Sequence, residues 1–202
     1  MMKGEVKLMS ACVLVGAILL CASGCGTFRE TLPERSAIEQ LLISTAADRA
    51  VDQLALGWAS GKTVTLDLSN LEAYDKAYLV QRMRYRLLKE GGRLPPEADN
   101  YDVLIELASG ANSIDNRSYM LGIPSIPLSI PGMGTVNTPE LALFKYLEYR
   151  GKSKILASAV DPNTRGQLHE MPEALGGSRA EYWWVLFLGP FGTNDLPKIA
   201  KE

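Results

Sequence analysis

The fold is decided by the stretch Lys62-Thr63-Val64-Thr65-Leu66-Asp67-Leu68, in which β-branched and apolar residues alternate with polar ones. This period of two predicts a strand. Residues 74–90 follow with apolar side chains spaced as on one face of a helix, and a pair of glycines ends that helix. A second, buried strand is predicted at residues 102–109. The centre of the chain is therefore predicted to be strand, helix, strand.

Another helix is predicted before this unit, beginning at Ser36. Ser36 and Glu39 have the spacing of a capping box, in which the serine caps the first turn and the glutamate reaches back to it. Apolar residues then trace a loose helical face to about Trp58, and Gly57 and Gly61 favour an end there.

The second half of the chain is predicted to be mostly strand. Residues 140–149 and 152–161 suggest a hairpin joined at Arg150 and Gly151, and the turn signal at residues 161–166 precedes a short strand at 167–170. The last predicted strand, 182–188, is very apolar. The predicted fold class is α+β: two helices packed on one mixed sheet of about five strands, with a long Pro/Gly-rich apolar loop.

That loop is residues 110–139. Its four prolines oppose a continuous helix or a central strand, yet apolar residues recur between them, unlike a solvated linker. One interpretation is a surface that docks on a protein partner, on another copy or into the lipid interface. The alternative is a long crossover whose apolar residues cap the domain's own core. The candidate partner-binding residues are Ile123, Ile126, Leu128, Ile130 and Met133.

The N-terminus predicts a bacterial lipoprotein. Two lysines near the start precede an apolar run at residues 8–20, which is too short to span a membrane, and then the small residues Ala22-Ser23-Gly24 before Cys25. These small residues resemble a lipobox, so residues 1–24 are predicted as a signal peptide and Cys25 as the acylated residue. The predicted domains are 1–24, a lipidated tether at 25–35, and one α+β domain at 36–198.

Cysteine usage and net charge indicate the cellular compartment and the classes of ligand to expect. Cys12 and Cys21 leave with the signal, so the mature chain keeps Cys25 alone and forms no internal disulfide. Gly26 follows Cys25 in place of an aspartate that would favour the inner membrane, so the outer membrane facing the periplasm is expected. The formal net charge is −2 with no basic block, which gives no case for nucleic-acid binding.

The search for catalytic chemistry is mostly negative. The one histidine, His169, lies on a predicted edge, and no metal-ligand spacing, nucleophile elbow or phosphate-binding glycine loop is found. Adjacent Trp183 and Trp184 would point to opposite faces of a strand and could form a stacking platform. We expect no enzyme, no cofactor and no metal. The carboxylates that could meet in space are Asp67, Asp102, Glu106 and Asp115.

Several motifs resemble an uncharacterised family of bacterial lipoproteins that carries a domain of unknown function. The motifs are Asp67-Leu68-Ser69-Asn70-Leu71-Glu72, Leu121-Gly122-Ile123-Pro124-Ser125, the run from Thr138 to Lys145, Trp183-Trp184 and Gly189-Pro190-Phe191. The resemblance covers nearly all of the mature chain and implies no known activity.

A more distant resemblance rests on the order of elements. The strand near residues 61–70, the helix, Asp102-Val103-Leu104 and the turn at 161–166 are similar in order to three envelope domains. These are the curli-secretion lipoprotein, the lipoprotein activators of peptidoglycan synthases and the N-terminal domain of the Tol-system propeller protein. The resemblance implies an α+β binding domain for protein assembly, without catalytic residues.

Two hypotheses of different class follow. The first is a non-enzymatic envelope lipoprotein that binds or assembles protein partners, or copies of itself, through residues 110–139. The second is a subunit of an oligomeric outer-membrane export pore, against which the four prolines argue. A cell-wall enzyme is the third.

Overall fold

The computed structural model describes residues 35–95, 100–131, 134–186 and 188–198. Two helices lie in this part of the chain, α1 at Ala37–Asp52 and α2 at Lys76–Lys89, with a short 3-10 helix at Gly57–Ala59. The predicted signal peptide and Cys25 lie outside the described residues, as does the tether apart from Arg35.

Eight strands lie within the described residues, and two of them are unusually long. Strand β2 has 21 residues and β5 has 20, so each extends over roughly 65–70 Å at about 3.3 Å a residue. The strands are β1 Val64–Asp67, β2 Val103–Ile123, β3 Pro127–Ile130, β4 Gly134–Asn137, β5 Leu141–Val160, β6 Gln167–His169, β7 Ala174–Val185 and β8 Leu188–Asn194.

One mixed sheet contains six of these described strands, in the order β1-β2-β5-β7-β8, with β6 beside β5. Strand β1 pairs with β2 in parallel, and the other pairs are antiparallel. Strands β3 and β4 form a separate two-stranded ribbon between the ends of β2 and β5, which we call the terminal ribbon. The fold class predicted from the sequence, two helices and one mixed sheet of about five strands, is confirmed.

Both helices pack on one face of the sheet, which we call the covered face. The Ser36 side chain and the Glu39 carboxylate make the predicted capping box at the start of α1. Leu79, Met83 and Leu87 of α2 are buried in the same cluster as β-strand residues such as Ile105 and Ile155. The opposite, open face carries no helix in the described part of the chain.

Contacts along α1 show which way it runs over the sheet. The Gln53 side chain bonds the backbone of Leu175, the Ser178 hydroxyl donates to the Leu42 carbonyl, and Gly176 lies between these two levels against Ala46. Earlier residues of α1 therefore meet later residues of β7. The N-terminus of α1 points toward the end of the sheet where β7 turns into β8, which we call the distal end.

Several sequence-based boundaries are wrong. Helix α1 ends at Asp52 instead of near Trp58, because Leu54 and Leu56 turn inward and are buried. Gly151 is no turn but lies within β5, where the carbonyl of Leu42 would overlap any side chain. The last strand is β8, preceded by β7, which begins at Ala174.

The prediction of a long loop at residues 110–139 is also wrong. Residues 110–123 continue β2, because the four prolines all fall after the strand has ended. Strands β3 and β4 occupy half of the remainder, with Pro127 as the first residue of β3.

Candidate binding surface at the distal end of the sheet

The sheet continues well past the helices, and its distal part has no core behind it. We call this part the distal sheet: residues 115–123 of β2, 141–149 of β5, 180–185 of β7, and β8. None of the described residues from 113 to 147 is buried. Large exposed apolar side chains are concentrated here: Tyr119, Leu121, Ile123, Leu141, Leu143, Phe144, Val185, Leu186, Leu188 and Phe191.

On the open face, the strand register sorts the side chains of the distal sheet by chemistry. Nearest the distal end among the rows that cross four strands is an apolar row, about 7 Å from the next row inward, since alternate residues of a strand share a face. That next row is aromatic. The apolar row is Leu121, Phe144, Val185 and Leu188. The aromatic row is Tyr119, Tyr146, Trp183 and Phe191.

A charged band follows the aromatic row on the same face, toward the helices. It consists of Asp115, Arg117, Glu148, Arg150, Lys152, Arg179 and Glu181. Glu148 is its centre: the Glu148 side chain is buried, and its Oε1 lies 2.7 Å from Nη2 of Arg150 and 2.8 Å from Nε of Arg179. Burial raises the pKa of Glu148, but the hydrogen bond from Arg150 and the arginine charges hold that pKa below its ordinary value of 4.5.

The other face of the distal sheet also carries aromatic side chains. Tyr149 and Tyr182 pack edge to face, with ring centroids 6.3 Å apart, and both are half-buried. Trp184 is also half-buried, and Gly189 leaves room for its indole, since a Cβ on that glycine would lie 2.9 Å from the ring. Trp183 and Trp184 therefore lie on opposite faces of β7, as predicted.

The predicted partner-binding residues lie at the extreme distal end. Ile123 is the last residue of β2. Ile126 directly precedes the terminal ribbon, and Leu128 lies in its first strand, β3. The exposed fractions of Ile123, Ile126 and Leu128 are 58%, 50% and 50%. At this exposure they do not cap the domain's core. Ile130 is placed in β3 by its backbone alone, and Met133 lies outside the described residues.

Both lateral edges of the distal sheet are open in the described part of the chain. Strand β1 pairs only with residues 103–106 of β2, so residues 107–123 offer unpaired backbone groups on that side. Strand β8 is the opposite edge. Long open edges are surfaces on which another strand can pair.

The carboxylates weighed as a catalytic group do not come together as one site. Asp67 and Glu106 are register partners on β1 and β2, but Asp115 lies in the charged band, bonded to Lys152 at 2.6 Å. The hydrogen bond from the Ser69 backbone holds the pKa of Asp67 below its ordinary value, which favours the ionised form. Asp102 accepts from the Thr63 backbone at the start of β2.

His169 lies far from the distal sheet, on β6. Its ring stacks on Trp58 with centroids 4.5 Å apart, and its Nε2 lies 3.4 Å from Nζ of Lys62. Across the described ranges, no group of three His, Cys, Asp or Glu side chains is placed to hold a metal ion.

Sequence reasoning found Ile123, Ile126 and Leu128 but missed the rows beside them. The signal that could have found these rows is the absence of charge: residues 118–139 and 182–194 contain no charged side chain. Placing the rows needed the register of four strands, which one sequence does not reveal.

Comparisons with known proteins identify a family without an activity. The model of a family of unknown function, DUF6655, matches residues 18–197 of the chain. No curated protein and no solved structure matches. The lipoprotein character of the family and the distant likeness to three envelope domains stay predictions. In the described part of the chain, no helix is long and apolar enough to cross a membrane.

Proposed function

Because the chain belongs to the DUF6655 family of unknown function, its role has to be argued from its own residues. We propose that it is a non-enzymatic lipoprotein of the bacterial envelope, anchored through acylated Cys25, that binds or assembles protein partners. The observation that carries the proposal is the distal end of the sheet, where large apolar side chains are exposed without a core behind them. Exposed apolar patches of this kind mark interaction surfaces in soluble domains.

The anchor is supported by the N-terminal sequence. Residues 22–24 are small, Cys25 is the one cysteine retained after cleavage, and nine residues lie between it and Arg35. Membrane attachment by lipid needs more than one acyl chain, and a lipoprotein cysteine supplies that. The location we propose is the outer membrane, facing the periplasm.

The partner surface we propose is the terminal ribbon with the end of β2. Ile123, Ile126 and Leu128 are each at least half exposed, and no charged residue lies between Ser118 and Pro139. A protein partner that covers these side chains would remove apolar area from water, which contributes about 25 cal/mol per Å². Copies of this chain are one such partner, since the edges of β2 and β8 are open.

A second candidate function, a subunit of an oligomeric outer-membrane export pore, is favoured by one specific observation. The distal sheet has four antiparallel segments, those of β2 and β5 are nine residues long, and a spanning strand needs about 9–11. The prolines that argued against spanning strands lie outside β2 and β5. In this version, β8 of one copy would pair antiparallel with β2 of the next.

The test is crosslinking of the full chain in its native membrane, followed by extraction and mass spectrometry. The test variant carries Ile123→Ser, Ile126→Ser and Leu128→Ser. The control carries Leu156→Ser, Leu168→Ser and Leu175→Ser, which are 46%, 41% and 59% exposed outside the distal sheet. The intact mass of the purified chain reads acylation at Cys25.

We expect the wild type and the control to give the same crosslinked species, and the test variant to lose it while staying folded. A crosslinked species made of this chain alone, in a closed ring, would favour the pore. Equal crosslinking of all three proteins would contradict the proposed surface, and a mass without acyl chains would contradict the anchor.

A further inference from the structure

Along the strands of the distal sheet, the open face changes chemistry in the order of a membrane interface. The apolar row comes first, and the aromatic row follows about 7 Å further along the strands. The charged band begins about 7 Å beyond the aromatic row and covers three register levels. Aromatic side chains concentrate at the level of lipid headgroups, and interfacial proteins bury apolar side chains about 5–10 Å deep. The spacing of one row therefore fits the depth of interfacial insertion.

The chain enters the domain at the end of α1 that points toward the distal sheet, on the covered face. The described residues begin at Arg35, directly before α1, and the N-terminus of α1 points toward the distal end. Ten residues from Cys25 reach at most about 35 Å when extended. An acylated Cys25 would thus hold the distal end, more closely than the far end of the sheet, to the membrane surface.

The open edges limit how deep one copy can go. Within the described part of the chain, backbone groups of residues 107–123 and of β8 have no strand partner on their outer sides, and such groups are not tolerated in hydrocarbon. Contact through one face, at the level of the headgroups and the first part of the acyl chains, leaves these edges near water. A lipid surface therefore fits the open face in a single copy.

We propose that the open face of the distal sheet lies obliquely against the bilayer that holds Cys25, with its apolar row deepest. The apolar row enters the acyl region, the aromatic row lies at the interface, and the charged band stays among the headgroups. Arg117 is exposed at the level of the band next to the aromatic row, where it is placed to meet lipid phosphates. The inference rests on the membrane anchor of the proposed function.

Adjacent tryptophans on opposite faces provide the test. The full lipidated chain is reconstituted in phosphatidylcholine vesicles whose acyl chains are brominated, a modification that quenches indole fluorescence at contact. One protein keeps Trp183 and carries Trp58→Phe and Trp184→Phe. Its matched control keeps Trp184 and carries Trp58→Phe and Trp183→Phe. Vesicle flotation checks anchoring of each protein separately.

We expect roughly twofold or greater quenching of Trp183 and little of Trp184, since only Trp183 lies in the aromatic row. In the Trp183 protein, Leu121→Ser with Leu188→Ser should reduce the quenching, because these side chains are 65% and 67% exposed in the apolar row. The control pair Leu156→Ser and Leu175→Ser, on the same face outside the distal sheet, should leave it unchanged.

Flotation without quenching of Trp183 overturns the inference but is consistent with the lipid anchor. The open face would then be available to bind a protein. Equal quenching of Trp183 and Trp184 also overturns it, because both faces would then meet lipid. A chain that fails to float overturns the anchor and the inference together.

Discussion

The same strands behave differently at the two ends of the sheet. Near the helices, β5 alternates buried core residues such as Ile155 with exposed ones such as Leu156. In the distal sheet, β5 keeps its extended backbone and its partners, but no residue from 141 to 147 is buried. The difference lies in what covers the strand rather than in the strand itself, and it separates the part that folds the domain from the part available for binding.

The boundary between the two ends is marked by glycines under α1. A Cβ at Gly176 would overlap the Ala46 carbonyl, and one at Gly151 would overlap the Leu42 carbonyl. These glycines let a helix lie directly on the sheet backbone. In the distal sheet, by contrast, Tyr149 and Tyr182 occupy the same face, and no helix in the described part of the chain follows them.

The largest effect on stability is expected from a side chain inserted between α1 and the sheet. Gly176→Ala should destabilise the domain by about 3 kcal/mol or prevent folding, because backbone atoms of α1 cannot move away as a side chain could. Gly177→Ala is the matched control, since its nearest neighbour would be the Gly151 carbonyl at 4.0 Å. Urea unfolding of the two variants measures the difference. Equal stability of the two variants would mean that α1 does not pack against Gly176.

Substitutions of leucines at the two ends of the sheet should also differ in their effect on stability, by less than the two glycine substitutions do. Leu87 is fully buried in α2, so Leu87→Ala should lower the free energy of unfolding by about 2–5 kcal/mol. Leu121 in the apolar row is 65% exposed, so Leu121→Ala should change it by less than about 0.5 kcal/mol. Thermal or urea unfolding checks both. A large loss at Leu121 would show that the distal sheet is part of the core.

The sequence was sufficient where local chemistry determines structure. The capping box at Ser36, the spacing of Leu79, Met83 and Leu87, and the alternation at residues 62–68 identified both helices and the first strand. These signals work because neighbouring residues cap the helix or share its buried face.

The sequence was insufficient where contacts between residues far apart in the chain determine the structure. The local pattern at Gly151 favours a turn, whereas its place within β5 depends on Leu42, more than a hundred residues away. The prolines favour a loop over residues 110–139, although residues 110–123 precede all four of them and continue a strand. The aromatic row could not be seen at all, since its four side chains come from four strands whose register depends on the whole sheet.

The smallest effect is expected in the charged band, and it depends on pH. The pKa of Glu148 is lower in the folded chain than its ordinary value of 4.5, because the arginine interactions outweigh burial. A lowered carboxyl pKa gives stability that is present above about pH 4.5 and is lost as pH falls through the folded pKa. Glu148→Gln should therefore melt at a lower temperature than wild type at pH 7, and the gap should narrow below pH 4.5. Glu173→Gln is the control, because Glu173 is an exposed carboxylate outside the distal sheet that pairs with Lys154. Thermal melts at several pH values measure the difference in melting temperature between wild type and variant. A difference that stays constant with pH would mean that the arginines do not hold Glu148 ionised. The charged band would then carry unneutralised positive charge.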